Sequence, residues 1–586
     1  MEISRRTAIT SLAAAFVLPM TGCAARIRSE SVPATGRGPA SPAAPPEPVT
    51  VPLTIGVPAQ PQSLDPALTV DAESHRSTRQ VLETLLGVDP NTGAPIPLLA
   101  SDWRATEDGL RYTFSLAPDV VFHDGTPLTA EVVAANFERW SRLPELLGQD
   151  RLDRLPRLAF PSVFGGFAGD EQCRYVECQT VGDRTVSLVL SEPIVFLAAA
   201  LTSPPFALSS PDSWAAFDQA LGTAGPASLP AARPAGTGPF RWGESPGPDA
   251  DGQDADGQDA DGQEGPGEAP PIVLEAVPDY RHGPSPVGPV RLAVISGARQ
   301  RLRELRRGHL DAFDYVTPAT LRPLVQGGAQ VLQRDPFSVL YLGMNVRHPI
   351  LGQLYVRQAA AHALDRRALA EDYFLAGSAR ADEFVPPSLG VAHPELTTYA
   401  YDQEKARGLL ELAGYRGEPL PFLYPVQTSR PYLPSPEPVY ARIAEDLARV
   451  GFVLEPVPVA WEDGYLDRIP ADSDRAFHLL GRTGEYRDPH HFLEPLFGAH
   501  SAEFGYENPL VVENLGRAAA SSSPETRTTL YRRAAESVAL DLPALPLVYP
   551  ISAVAAGHDL VSYPTSPVLD ERFDRIVPVD QPSPGR

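Results

Sequence analysis

The sequence predicts a mixed α/β protein built as two lobes, and three observations support this. About 535 of its 586 residues remain after a leader and a low-complexity stretch, more than one hydrophobic core usually organises. Hydrophobic residues make up 43% of the chain, enough to fill more than one such core. Short strand-like runs are interleaved with amphipathic helical stretches, the pattern of helices layered on sheets.

In chain order, residues 1–22 read as an export leader. Arg5 and Arg6 precede an apolar run from Ala8 to Met20, too short to span a bilayer comfortably, and small residues follow at Thr21-Gly22. The run Leu18-Pro19-Met20-Thr21-Gly22-Cys23 resembles a bacterial lipobox, with Met20 where Leu is commoner. The resemblance implies that Cys23 carries lipid and holds the protein to the outer face of the cell membrane; an ordinary secretion signal is the alternative. Ser4-Arg5-Arg6-Thr7 is a partial twin-arginine signal, so both export routes stay open. Residues 23–50 are rich in Pro, Ala, Ser and Gly and cannot bury enough surface to offset their ordering entropy. They read as a disordered tether.

The ordered part begins with a strand at Leu53–Val57, bounded by prolines. Arg111–Leu116 alternates, with Tyr112, Phe114 and Leu116 on one face. Thr129 caps a helix to about Ser141, striped by Val132, Val133, Phe137 and Trp140. The repeat Asp-Ala-Asp-Gly-Gln at 249–263 lacks calcium-loop spacing and reads as a solvated insert. It lies between Phe240–Trp242 and Ile272–Leu274, which form a hairpin around it. Pro438–Val450 is an amphipathic helix stopped by Gly451, with a strand at Phe452–Glu455. Ser523-Pro524-Glu525 opens a last helix, and Leu545–Tyr549 follows as a strand.

Composition narrows the function. A net charge of -24 argues against a nucleic-acid partner. Lys405 is the only lysine, a bias of composition that carries no fold information. With Cys23 acylated, Cys173 and Cys178 remain as an even pair, and a disulfide between them is the expectation in an oxidising compartment. Two thiols without a nearby His are too few for structural zinc, and no metal or other cofactor is expected. No zinc-protease, serine-hydrolase or phosphate-loop motif occurs, so the chain is expected not to be an enzyme.

An ordered series of short blocks then carries a family resemblance. It starts at Gln62-Ser63-Leu64-Asp65-Pro66, Leu85-Leu86-Gly87-Val88-Asp89 and Pro97-Leu98-Leu99-Ala100-Ser101-Asp102-Trp103. The most diagnostic stretch joins Tyr112–Leu116 to Val121-Phe122-His123-Asp124-Gly125-Thr126-Pro127. Gly236–Phe240, Gly308–Ala312, Tyr341-Leu342-Gly343-Met344-Asn345, Val356–Ala359 and Asp488-Pro489-His490-His491-Phe492-Leu493 follow in order. The chain resembles the extracytoplasmic solute-binding protein family 5, which contains oligopeptide-, dipeptide- and nickel-binding proteins of ABC importers. Ala117-Pro118-Asp119 and Val132-Val133 depart from its usual pattern.

The resemblance implies a two-lobe clamp of the type II (cluster C) periplasmic-binding-protein kind. Lobe I would be discontinuous, 51–335 plus 544–586, and lobe II would be 336–543. A peptide-like solute would sit in the cleft, held mainly through its backbone. Glu485 matches the family's acidic residue, usually Asp, that pairs with a peptide's α-amino group. Gly481, Arg482 and Thr483 would supply a strand edge facing the ligand, and Val70, Asp71 and Ala72 the opposing edge. Arg482 either pairs with a ligand carboxylate or is solvated. His490 and His491 read as structural or surface residues. The expected partners are the permease and ATPase subunits of an ABC importer, and the membrane through the anchor; the protein itself is expected to be a monomer. Alternatives are a receptor for an oligosaccharide or metal chelate, or an envelope regulator on the same fold.

Overall fold

Two large mixed sheets organise the computed structural model, which describes residues 50–152, 158–223, 233–244, 270–566, 568 and 570–579. The leader, Cys23, all of the tether but Thr50, and the acidic repeat 249–263 lie outside the described residues.

The first sheet has seven strands, in the order Phe240–Trp242, Ile272–Ala276, Val287–Val294, Val51–Val57, Ala312–Phe313, Ser552–Ala556 and Gln330–Arg334. Val51–Val57 lies parallel to both neighbours, and Leu53, Ile55 and Val57 are buried in its core. The expected hairpin is present, Phe240 opposite Ala276 and Trp242 opposite Leu274. A separate four-stranded antiparallel sheet contains Arg111–Leu116; the helix Ala130–Ser141, capped by Thr129, buries Phe137 and Trp140 in the same core.

The second sheet has six strands, in the order Ala379–Arg380, Ala544–Tyr549, Ser338–Met344 (β1), Phe477–Thr483 (β2), Leu420–Val426 and Leu454–Ala460. All seven residues of β1 are buried, as a central strand covered on both faces requires. β1 and β2 are antiparallel, Ser338 opposite Thr483 and Met344 opposite Phe477. On its other side β2 pairs with Leu420–Val426 only at Phe477 and His478, so no strand covers that edge from Leu479 to Thr483. There the Tyr465 hydroxyl donates to the Leu479 carbonyl at 2.5 Å, and His491 lies 3.2 Å from the Thr483 carbonyl.

The chain changes sheets twice, between Arg334 and Ser338 and between Tyr549 and Ser552. The second crossing falls later than the expected boundary at 543/544. Ala544–Tyr549 is an entirely buried run that pairs with β1, Leu545 opposite Leu342, and therefore belongs to the second sheet. The expected strand at Phe452–Glu455 starts at Leu454; Gly451, at φ +112°, ends the preceding helix and turns Phe452 into the core.

Cys173 and Cys178 are free thiols, against the expected disulfide. Tyr175–Gly182 is an extended strand, which at ~3.3 Å per residue carries Cys178 away from Cys173 instead of folding the segment back. Both cysteines pack, partly buried, against the core that contains Phe137 and Tyr175, and burial pushes the Cys178 thiol up to about 12.

Candidate ligand-binding cavity

A cavity of about 960 Å³ lies between residues of the two sheet-centred halves. All seven positions expected to bind ligand line it: Val70, Asp71, Ala72, Gly481, Arg482, Thr483 and Glu485. Their local structure differs from expectation in two places.

The segment Val70–Ala72 is the start of a helix, where a strand edge was expected. Asp71 is the N-cap of Ala72–Thr78 (α1), its carboxylate accepting from the Ser74 amide at 2.9 Å. A short acidic side chain there satisfies an otherwise unpaired amide and complements the helix dipole. The same carboxylate receives Nη1 of Arg430 at 2.8 Å, with both side chains almost fully shielded from solvent. Arg482, on the open edge of β2, is neither solvated nor free. It is partly buried, and its Nε donates to the His491 carbonyl at 2.5 Å. Gly481 is required by packing: a side chain there would overlap the Tyr432 ring.

Glu485 follows β2 and reaches across the cavity. Its Oε1 lies 2.5 Å from Nδ1 of His75, a buried residue of α1, so the pair joins the two halves. Burial disfavours the Glu485 carboxylate, but His75, together with His491 and Arg482, outweighs it and holds the pKa down to about 2. Glu485 is therefore ionised at neutral pH.

His490 and His491 open the helix His490–Phe497 (α3) and are both buried. His491 lines the cavity. Its Nε2 lies 3.3 Å from the Glu485 amide and 3.2 Å from the Thr483 carbonyl, so the ring fixes the turn that carries Glu485. Burial, with Arg482 beside it, pushes the imidazole down to about 3 and leaves it neutral.

Sequence reasoning missed Arg430. Its guanidinium stacks 3.7 Å from the Trp461 ring centroid, and its Nε and Nη2 have no hydrogen-bond partner among the described residues. It lies on the cavity wall in the loop after Leu420–Val426, where nothing in Ser429-Arg430-Pro431-Tyr432 separates a buried arginine from a surface one. Below α1, Arg76 joins Glu73 and Asp314, and Arg334 joins Asp314 (2.6 Å) and Glu571 (2.5 Å). This network closes the cavity floor beside the first crossing between sheets.

Residues 94–504 match the bacterial extracellular solute-binding proteins, family 5. The chain belongs to this family. Heme-binding protein A of Haemophilus influenzae is 26% identical over 529 residues, 88% of this chain and 90% of the relative. The dipeptide-binding protein of Escherichia coli is 25% identical over 529 residues, covering 88% and 91%. Among solved structures, a dipeptide-binding protein from a Pseudoalteromonas species in complex with Met-Leu superposes with a TM-score of 0.78 at 20% identity, over 90% of this chain and 100% of that one. At that identity the likeness shows the fold, an α/β solute-binding architecture with mixed sheets. Among the described residues no helix is long and apolar enough to cross a membrane.

Proposed function

We propose that this family 5 protein captures short peptides, or solutes with the same pair of end charges, for an ABC importer. In this reading it is anchored outside the cell membrane by lipid on Cys23, and it hands its ligand to permease and ATPase subunits. The observation that carries the reading is a buried pair of opposite charges on one cavity: the Glu485 carboxylate and the Arg430 guanidinium with two unpaired nitrogens. A zwitterionic peptide complements both. Its ammonium would displace His75 from Glu485 in a charge-assisted bond, and its carboxylate would take Nε and Nη2 of Arg430. The open edge of β2 beside them offers backbone groups to an extended ligand. Relatives that bind dipeptides support the assignment, and the cavity volume lies within the range of small-molecule sites.

Native mass spectrometry of the gently purified protein tests the solute class. Co-purifying peptide masses support the reading; a heme, sugar or metal-chelate mass overturns it while keeping a receptor. Calorimetry then tests the residue. Glu485→Gln is expected to weaken a bound peptide by ~1.5–3 kcal/mol, the worth of a hydrogen bond to a charged group. Unchanged affinity removes Glu485 from the site.

A further inference from the structure

The cavity wall carries one more mostly buried carboxylate, and the two peptide termini do not use it. Glu503 follows α3, and its side chain is 20% exposed. Its Oε1 accepts two hydrogen bonds of 2.8 Å, from the Tyr341 hydroxyl and from Nε2 of His478. Both donors are uncharged. His478 is fully buried, and burial, with Arg475 nearby, pushes its imidazole down to about 4. Oε2 has no hydrogen-bond or ion-pair partner among the described residues. Arg475, the guanidinium that reaches this loop, gives its hydrogens to backbone: Nη1 to the Ile469 carbonyl and Nη2 to the Glu503 carbonyl, not to its carboxylate.

The other buried carboxylates of the wall are matched differently. Asp71 has Arg430, Asp314 and Glu571 share Arg334, and Glu485 has His75. Asp71, Asp314 and Glu571 each meet an arginine, whereas the donors on the Glu503 carboxylate are a tyrosine hydroxyl and a buried histidine, with Arg475 near but bonded to backbone. A partly buried carboxylate on a cavity wall with one oxygen unpartnered gains a charge-assisted hydrogen bond from a cationic ligand group. Its setting suits such a group. Leu466 and Ile469, on the helix Tyr465–Ala471 (α2), line the same cavity with Leu480, and Arg475 ties Ile469 to the Glu503 loop. An aliphatic stem packed on those side chains would bring its charged end to Oε2.

We propose that Glu503 forms a side-chain subsite selecting ligands with a second cationic group, the ammonium or guanidinium of a lysine- or arginine-like residue. The inference rests on the peptide reading above and narrows it to basic peptides. The subsite is a carboxylate supported from behind by Tyr341 and His478 and flanked by an apolar wall.

The test is calorimetry of the purified protein and its Glu503→Gln variant with two tripeptide sets. One is trialanine with lysine at the first, second or third position; the other carries norleucine at the same positions. Glutamine keeps an acceptor for Tyr341 and His478, so the fold should hold. The expected result is that one lysine position binds wild type at least about tenfold tighter than its norleucine counterpart. In Glu503→Gln that preference should collapse while norleucine peptides bind within about twofold of wild type. Binding of both sets without a lysine preference overturns this inference alone, as does a preference that survives in the variant. Failure of every tripeptide to bind wild type overturns the peptide reading and this inference with it.

Discussion

At the scale of single residues, the cavity is set by how each buried charge is matched, and His491 shows the consequence for pH. In the folded protein its pKa is about 3, below the ordinary value near 6.5, because burial and Arg482 disfavour the imidazolium. Between those values the unfolded chain binds the extra proton, so the residue's contribution is complete above about pH 6.5 and shrinks as pH falls toward 3. Glu485 acts in a lower window: its depressed pKa stabilises the fold above about pH 4.5, and that contribution is lost as pH falls toward 2. His491→Gln keeps an acceptor near the Glu485 amide and removes the titration. Urea unfolding at about pH 6.5 and about pH 5 should show the variant losing on the order of 1 kcal/mol less than wild type over that interval. Equal losses would mean that His491 titrates normally in the folded protein.

At the scale of elements, β1 and β2 hold the Glu503 support in place through a glycine. Gly343 stands opposite His478 in the strand register, and a Cβ there would overlap the imidazole ring itself. The block Tyr341-Leu342-Gly343-Met344-Asn345 was legible in the sequence as a family motif, but the reason for its glycine appears only when β2 is laid beside it. Gly343→Ala is expected to lower stability by ~1–3 kcal/mol through overpacking of a full core, read as a lower denaturation midpoint at unchanged m. An unchanged midpoint would show that the ring has room to move. The elements that the sequence made legible are those with strong local signals. Thr129 and Ser523 cap their helices, accepting from the Val132 and Thr526 amides. Val70–Ala72 was expected as a strand edge from the family resemblance, and α1, which starts there, gave no local signal against it: the run Ala-Glu-Ser-His-Arg-Ser-Thr has no apolar stripe, and what it buries is polar, including Glu73, His75 and Arg76. Those burials depend on Asp314, Glu485 and Tyr315, all more than 200 residues away, which no local window contains. Arg430 and Glu503 gave no local signal for the same reason, while Glu485, which lines the cavity, was singled out because a motif register pointed to it.

At the scale of the whole molecule, the two sheets are joined by two short crossings, at 335–337 and 550–551, with the cavity beside them. The polar contacts across the cleft are few. His75 meets Glu485, Asp71 meets Arg430, Arg301 Nη2 donates to the Ser429 hydroxyl at 3.2 Å, Arg174 Nη2 to the Gly516 carbonyl at 3.1 Å, and the Val195 amide to the Ala519 carbonyl at 3.0 Å. The core of each large sheet is its own, so opening about the crossings would leave those two cores intact while breaking these contacts and the apolar ones that Tyr486, His490 and Ala519 make with the Phe196 side of the first half. A ligand ammonium that takes Glu485 from His75 replaces one of the contacts with its own bond, and closure is then held by the ligand. The ligand-free protein should therefore depend on His75 more than the loaded protein does. By small-angle X-ray scattering, ligand-free His75→Ala should have a larger radius of gyration than ligand-free wild type, and saturating peptide should bring both to one smaller value. The same substitution should speed ligand dissociation only weakly if, as proposed, the ligand ammonium replaces the imidazole on Glu485. Equal radii for the two ligand-free proteins would mean that the remaining contacts, the buried Asp71–Arg430 pair foremost by charge, hold the halves together without His75. In that case Arg430→Lys, which keeps the charge but loses the planar fork, becomes the substitution that opens the molecule.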